Sequence, residues 1–218
     1  LGATEILVND AHWTGCNIDP SKLPECVSLL RGWSGHPFSM MDGIDESFDS
    51  VIYIGYHSRA GSCGNPLAHT MSGRVVEEMR INDRPVSEFY MNTLTAKSVG
   101  VPVVFLSGDE SLCSEVNEFD SSIETFAPLK GIGTATISVN PTKSCQLIKS
   151  GVKIALNKNL IGNDFDFPDK FKIEIDYKHS KMAYGAAFYP GCERTGEKTI
   201  QFQTENYFDI LKMIKFTV

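Results

Sequence analysis

VPVVFLSGD, residues 101–109, places six residues without a charge or a hydroxyl before a polar Ser-Gly-Asp end. A strand with one wet face alternates apolar and polar side chains. A strand with no polar position is covered on both faces, which is the environment of a parallel strand between two layers of helix. Parallel neighbours require crossovers, so helices are expected on either side of this run. Upstream, residues 82–100 (NDRPVSEFYMNTLTAKSVG) read as a helix, with Asp83 as its cap, Pro85 in its first turn and Gly100 at its end. Downstream come a short helix at 109–117 and a strand near 122–128. Further out, residues 4–8 (TEILV), 27–30, 50–54 (SVIYI) and 77–81 read as strands, separated by loops rich in Gly and Pro at 13–26 and 32–45. This order predicts an α/β fold, a three-layer sandwich with a mainly parallel sheet.

The rhythm changes after residues 131–139. Residues 141–157 form an amphipathic pattern with Pro at the first position, 172–177 and 199–203 (TIQFQ) alternate as half-buried strands, and 206–215 close the chain as a helix. The expected division is therefore an α/β domain over 1–139 and a smaller α+β portion over 140–218.

With 218 residues the chain can bury a substantial core, and its 42% apolar and 22% charged residues are those of an ordinary folded domain. No apolar run is long enough to span a bilayer as a helix. A net charge of −7 without a basic stripe argues against nucleic acid as a partner. The six cysteines, at 16, 26, 63, 113, 145 and 192, include no CxxC pair. They are expected to be free thiols, and the compartment the cytoplasm. The chain opens at Leu1 without Met or a signal peptide, and a segment upstream of it is expected.

Ligands of open parallel sheets bind beyond the carboxyl ends of the strands. Strand 4–8 delivers Asp10 and His12 there, strand 50–54 delivers His57, and the segment around 77–90 delivers Asp83 and Glu88. The loop GYHSRAGSCGNPLAHTM (55–71) adds His69, twelve positions after His57. Imidazole and carboxylate are the usual ligands of catalytic zinc. Each residue has an ordinary reading too: His12 and His57 as turn histidines bonded to backbone, His69 as an exposed loop residue, Glu88 as a solvated helix carboxylate. No HExxH or Cys-based spacing decides between them. Asp10 is either a partner that orients His12 or a turn residue bonded to the backbone. Cys63, between glycines, offers a nucleophile with His69 as base, but no helix start is at hand to lower its pKa. His36 and His179 are expected not to be ligands. Trp13 and Trp33 line a pocket or pack.

The strings VNDAH (8–12), HPFSMMDGID (36–45), GYHSRAG (55–61), AHTM (68–71), INDRPVSE (81–88) and TIQFQ (199–203), in this order and spacing, resemble the DppA-type zinc-dependent D-aminopeptidases, the dipeptide transport protein DppA family of metallopeptidases. The resemblance runs from Leu1 to the end of the chain. It implies a zinc metallopeptidase that removes N-terminal D-residues, typically D-Ala, from short peptides. By motif, His12 would bind one of two zinc ions per full-length subunit, His57 and Glu88 the other, and His69 would be the catalytic histidine beside them. It further implies a homodecameric ring enclosing the active sites. The family also draws a bridging Asp and a second carboxylate from an Asp-x-Glu motif on its first strand. This chain has no counterpart to it, and the expectation is that the segment upstream of Leu1 carries it. The 57–69 loop is slightly longer than the family pattern, which is expected to affect substrate choice. Two alternatives remain beside this reading: a Cys63/His69 thiol hydrolase, and a non-catalytic peptide-binding or assembly protein of the same fold.

Overall fold

Every residue of Val103–Asp109 is buried, as a strand covered on both faces must be. The structure, a computed structural model, describes residues 2–158 and 163–218. Its first half contains strands β1 (Ile6–Asn9), β2 (Val27–Leu30), β3 (Val51–Tyr56), β4 (Val76–Ile81) and β5 (Arg84–Pro85), followed by helix α1 (Glu88–Ser98). Then come β6 (Val103–Asp109), α2 (Glu110–Phe119), β7 (Glu124–Ile132), β8 (Ala135–Ser138) and α3 (Pro141–Asn157). The chain ends with β9 (Phe171–Tyr177), α4 (Ser180–Ala186), β10 (Glu193–Arg194), β11 (Thr199–Thr204) and α5 (Tyr207–Thr217).

The α/β expectation holds, with the strands divided between sheets of different character. One sheet has the order β3-β6-β7-β8; its first three strands are parallel and β8 returns antiparallel along β7. The larger sheet, β10-β11-β9-β4-β5, is antiparallel throughout. β1 and β2 form a separate parallel pair. The packing crosses the 139/140 division in both directions: β4 pairs with β9, and α3 lies on β6 and β7.

Helix α1 is the hub of the core. Its residues from Glu88 to Ala96 are all buried, so it has no solvent stripe of the kind a surface helix shows. Phe89 and Leu94 share one apolar cluster with Met79 and Ile81 of β4, Ile173 and Ile175 of β9, Leu106 of β6 and Ile210 and Ile214 of α5. β9 alternates as expected: Phe171, Ile173, Ile175 and Tyr177 point inward. On its other face Glu174 and Asp176 meet Arg80 of β4, at 3.8 and 2.8 Å.

The segment 82–100 differs from its sequence reading. Asn82 and Asp83 both have positive φ, 50° and 65°, and form a two-residue turn that joins β4 to β5 with Ile81 opposite Arg84. That is the backbone of a primed hairpin turn, and Asn and Asp are the non-glycine residues that tolerate it best. Asp83 therefore caps no helix; it binds Lys172 on the adjacent strand at 2.5 Å. Pro85 lies in the edge strand β5 rather than in a first helical turn. The cap is Ser87, whose side chain accepts from the Tyr90 N–H.

Helix α3 has the predicted bounds, with Asn140 as N-cap and Pro141 at its first position. It packs on β6 so tightly that a Cβ at Gly151 would lie 2.4 Å from Phe105 Cε2. Alanine gains about 1 kcal/mol over glycine in helix propensity, but overpacking a rigid aromatic costs about 1–3 kcal/mol. Gly151→Ala is expected to lower stability by about 1 kcal/mol in urea unfolding; an increase in stability would show that α3 can lift off the sheet freely.

Candidate metal centre

Three elements deliver one cluster. The parallel strand β3 ends at Tyr56 and passes directly into His57. The loop that follows carries His69 back toward the same point, and the β4–β5 hairpin leads into Glu88, the first residue of α1. His57 Nε2 lies 3.7 Å from Glu88 Oε2, and His69 Nε2 lies 3.8 Å from Glu88 Oε1. The two imidazole centroids are 4.2 Å apart. One donor atom from each residue lies within 4.8 Å of the other two.

Thr70, fully buried, holds the loop in place. Its hydroxyl donates to the Val86 carbonyl at 2.9 Å and accepts from the Ala60 N–H at 3.0 Å, so the loop's two arms are tied to the chain entering α1. Met71 adopts a left-handed conformation, φ 61°, which aims its N–H at Glu88 Oε1, 2.8 Å away. Glu88, 6% exposed, also sits at the positive end of α1. Nearby, burial keeps the Tyr56 phenol protonated well past its usual range; its oxygen accepts from Asn92 at 2.9 Å.

The backbone also fixes how the histidines face Glu88. His57 Nδ1 is 3.0 Å from the Ser58 carbonyl and His69 Nδ1 is 2.7 Å from the Leu67 carbonyl. A carbonyl oxygen only accepts, so both Nδ1 atoms carry a proton. In the neutral rings, both Nε2 atoms then present bare lone pairs toward a buried carboxylate. Three electron-rich groups facing one another are unfavourable until a cation lies among them. At zinc bond lengths of about 2.0–2.1 Å, two tetrahedral ligands are about 3.3 Å apart. The contacts of 3.7 and 3.8 Å fit such an ion with little adjustment.

His12 does not join this group, which among the described residues is the one set of three side chains able to share a metal. It is exposed beyond the end of β1. Asp10, 3% exposed, takes the turn role: it accepts from Asn17 Nδ2 at 3.0 Å and from the Asn17 and Ile18 N–H groups, and makes no hydrogen bond to the His12 ring. Burial raises its carboxyl pKa, and those hydrogen bonds outweigh burial to leave it below the ordinary value. Trp33 donates to the Trp13 carbonyl, bracing the same loop. Cys63 is exposed, and His69 directs one nitrogen to Leu67 and the other toward Glu88, leaving none for a thiol. All six cysteines are unpaired. His36 packs against Phe38 and Phe208, and His179 precedes α4 on the surface, both outside the cluster. Thr70 was not singled out by the sequence; its role depends on contacts with Ala60 and Val86, which no local pattern announces.

A family model described as D-aminopeptidase, peptidase M55, matches residues 1–216. The chain belongs to the M55 D-aminopeptidase family. It is 32% identical over 210 residues to a D-aminopeptidase of Bacillus subtilis (strain 168), covering 95% of this chain and 76% of that protein. It also superposes on a solved structure of DppA from Bacillus subtilis, described as a Zn-dependent D-aminopeptidase and a self-compartmentalizing protease. That match has a TM-score of 0.91 and 31% identity, and covers 99% of this chain and 78% of the other. The M55 fold is thus shared over nearly the whole chain.

The clamp is testable. Thr70→Val keeps the shape and strands a buried N–H and a buried C=O, which costs about 2–3 kcal/mol in denaturant unfolding. It should also speed hydrogen exchange at the Ala60 amide. Unchanged stability and exchange would show that the loop is held by other contacts.

Proposed function

We propose that this protein is a zinc-dependent aminopeptidase that removes N-terminal D-residues, D-Ala foremost, from short peptides. The carrying observation is the pair of imidazole Nε2 atoms turned toward the buried Glu88 carboxylate, with each Nδ1 held on a backbone carbonyl. Membership of the D-aminopeptidase family and the likeness to a Zn-dependent D-aminopeptidase support the reading. His57 and Glu88 would hold one zinc ion. When bound, zinc supplies a Lewis acid for the scissile carbonyl and acidifies water toward neutral pH.

The chain's own residues supply the rest. In its neutral form His69 offers the Nε2 lone pair and stands opposite His57, so it can take a proton from the attacking water and return it to the leaving amine. The Leu67 carbonyl stabilises the imidazolium that forms, because it accepts from Nδ1–H throughout. Met71 N–H and the start of α1 hold Glu88 in place while this occurs. His12 is assigned to a second zinc ion, for two per full-length subunit. The assembly is assigned as a homodecameric ring, supported by the description of the DppA relative as self-compartmentalizing. The compartment is assigned as the cytoplasm, where six unpaired thiols persist.

The distance of His69 Nε2 from Glu88 Oε1, 3.8 Å, also suits a third ligand to the same ion. Two variants separate the roles. His57→Ala should lose zinc and turnover together. His69→Ala should keep zinc while kcat on a D-Ala dipeptide falls by about 10²–10⁴-fold, the range for loss of a proton-transfer group. Zinc loss in His69→Ala would make that residue a ligand. Full zinc content and full hydrolysis in both variants would overturn the proposal, as would inactivation by a thiol alkylator combined with indifference to a chelator.

A further inference from the structure

One buried carboxylate outside the cluster reaches both of its histidines. Asp109, at the end of β6, has no exposed surface, and among the described residues it makes no ion pair. It accepts from the Ser58 N–H at 2.6 Å, from the Ser58 hydroxyl, from Asn65 Nδ2 at 3.2 Å and from the Leu112 N–H at 2.9 Å. Only the last of these is the ordinary work of an N-cap, here of α2. The other three lead back to residues 51 and 44 positions away in the chain.

Each of those two lines ends on an imidazole. Ser58, held at its N–H and hydroxyl, turns its carbonyl to His57 Nδ1. Asn65, held by its amide nitrogen, uses its Oδ1 to accept from the Leu67 N–H at 2.9 Å, and the Leu67 carbonyl accepts from His69 Nδ1. The loop also lies against α2 at Gly64, where a Cβ would come within 2.2 Å of Ser111 Cβ, so its distance from Asp109 is set by close contact. We propose that Asp109 is a positioning residue of the metal centre: it fixes the carbonyls of Ser58 and Leu67, and through them the Nδ1–H tautomer and the orientation of both His57 and His69. A buried carboxylate with four neutral donors is costly to maintain for capping alone, since a serine caps a helix as well.

The affinity arm of the test rests on the zinc-site reading above, so wild-type protein is measured first. Failure of wild-type full-length chain to bind zinc or cobalt(II) would count against that reading and not against this one. Asp109→Ser keeps a cap for α2 but is too short to hold Ser58 and Asn65. It should fold with near wild-type far-UV circular dichroism, bind zinc about 10- to 100-fold more weakly in chelator competition, and shift the visible bands of the cobalt(II) form. Asn65→Ala cuts only the line to His69, so kcat on a D-Ala dipeptide should fall with KM unchanged while zinc affinity stays near wild type. Wild-type zinc affinity and an unchanged cobalt spectrum in folded Asp109→Ser would overturn the proposal. Should Asp109→Ser not fold, wild-type kcat in Asn65→Ala overturns it instead.

Discussion

A nearly buried carboxylate must be answered by positive charge or by hydrogen-bond donors, and at the metal centre that carboxylate is Glu88. It receives one backbone N–H and the positive end of a helix. It also faces two imidazole Nε2 atoms that stand 3.7 and 3.8 Å away, too far to hydrogen-bond it. Most of the local architecture serves this confrontation. The parallel strand β3 brings His57 to the sheet edge, Thr70 ties the following loop back, and the β4–β5 hairpin turns the chain so that α1 begins with Glu88 pointing at both rings.

The same constraint accounts for the burial of α1. A site built from three segments is precise only if the helix that carries the carboxylate cannot shift, and packed cores resist such displacement. α1 shares one apolar cluster with residues from both halves of the chain, from Met79 of β4 to Ile214 of α5. The antiparallel sheet is therefore part of the foundation of the site. Hydrogen bonds continue the design outward, from the rings to the Ser58 and Leu67 carbonyls and from there to the end of the central strand.

Elements whose pattern is local were legible in the sequence. The apolar run at 101–106 reads as a doubly covered strand, and α3 is marked by Pro141 and its periodicity. Asn206 caps α5, as a polar residue before an apolar helix should. Residues 82–87 were misread because Asn, Asp and Pro punctuate a helix start and a hairpin turn alike; the choice depends on whether β4 has a partner, and that partner, β9, is almost a hundred residues away. Within the site, His57, Glu88 and His69 could be named from their motifs, and the structure brings them together. His12 could be named in the same way and stands apart. The supports, Thr70, Ser58, Asn65 and Asp109, carry no periodic or spacing signal, since each acts through a tertiary contact.

Diffraction data collected from crystals of the zinc-loaded protein on either side of the zinc absorption edge would test the central claim most directly. The account predicts an anomalous peak at about 2.0–2.1 Å from His57 Nε2 and from a Glu88 oxygen, with Nδ1 of each histidine still on its carbonyl. Stoichiometric zinc with no peak between those side chains, or His57 turned to bond Glu88 directly through a protonated Nε2, would contradict it.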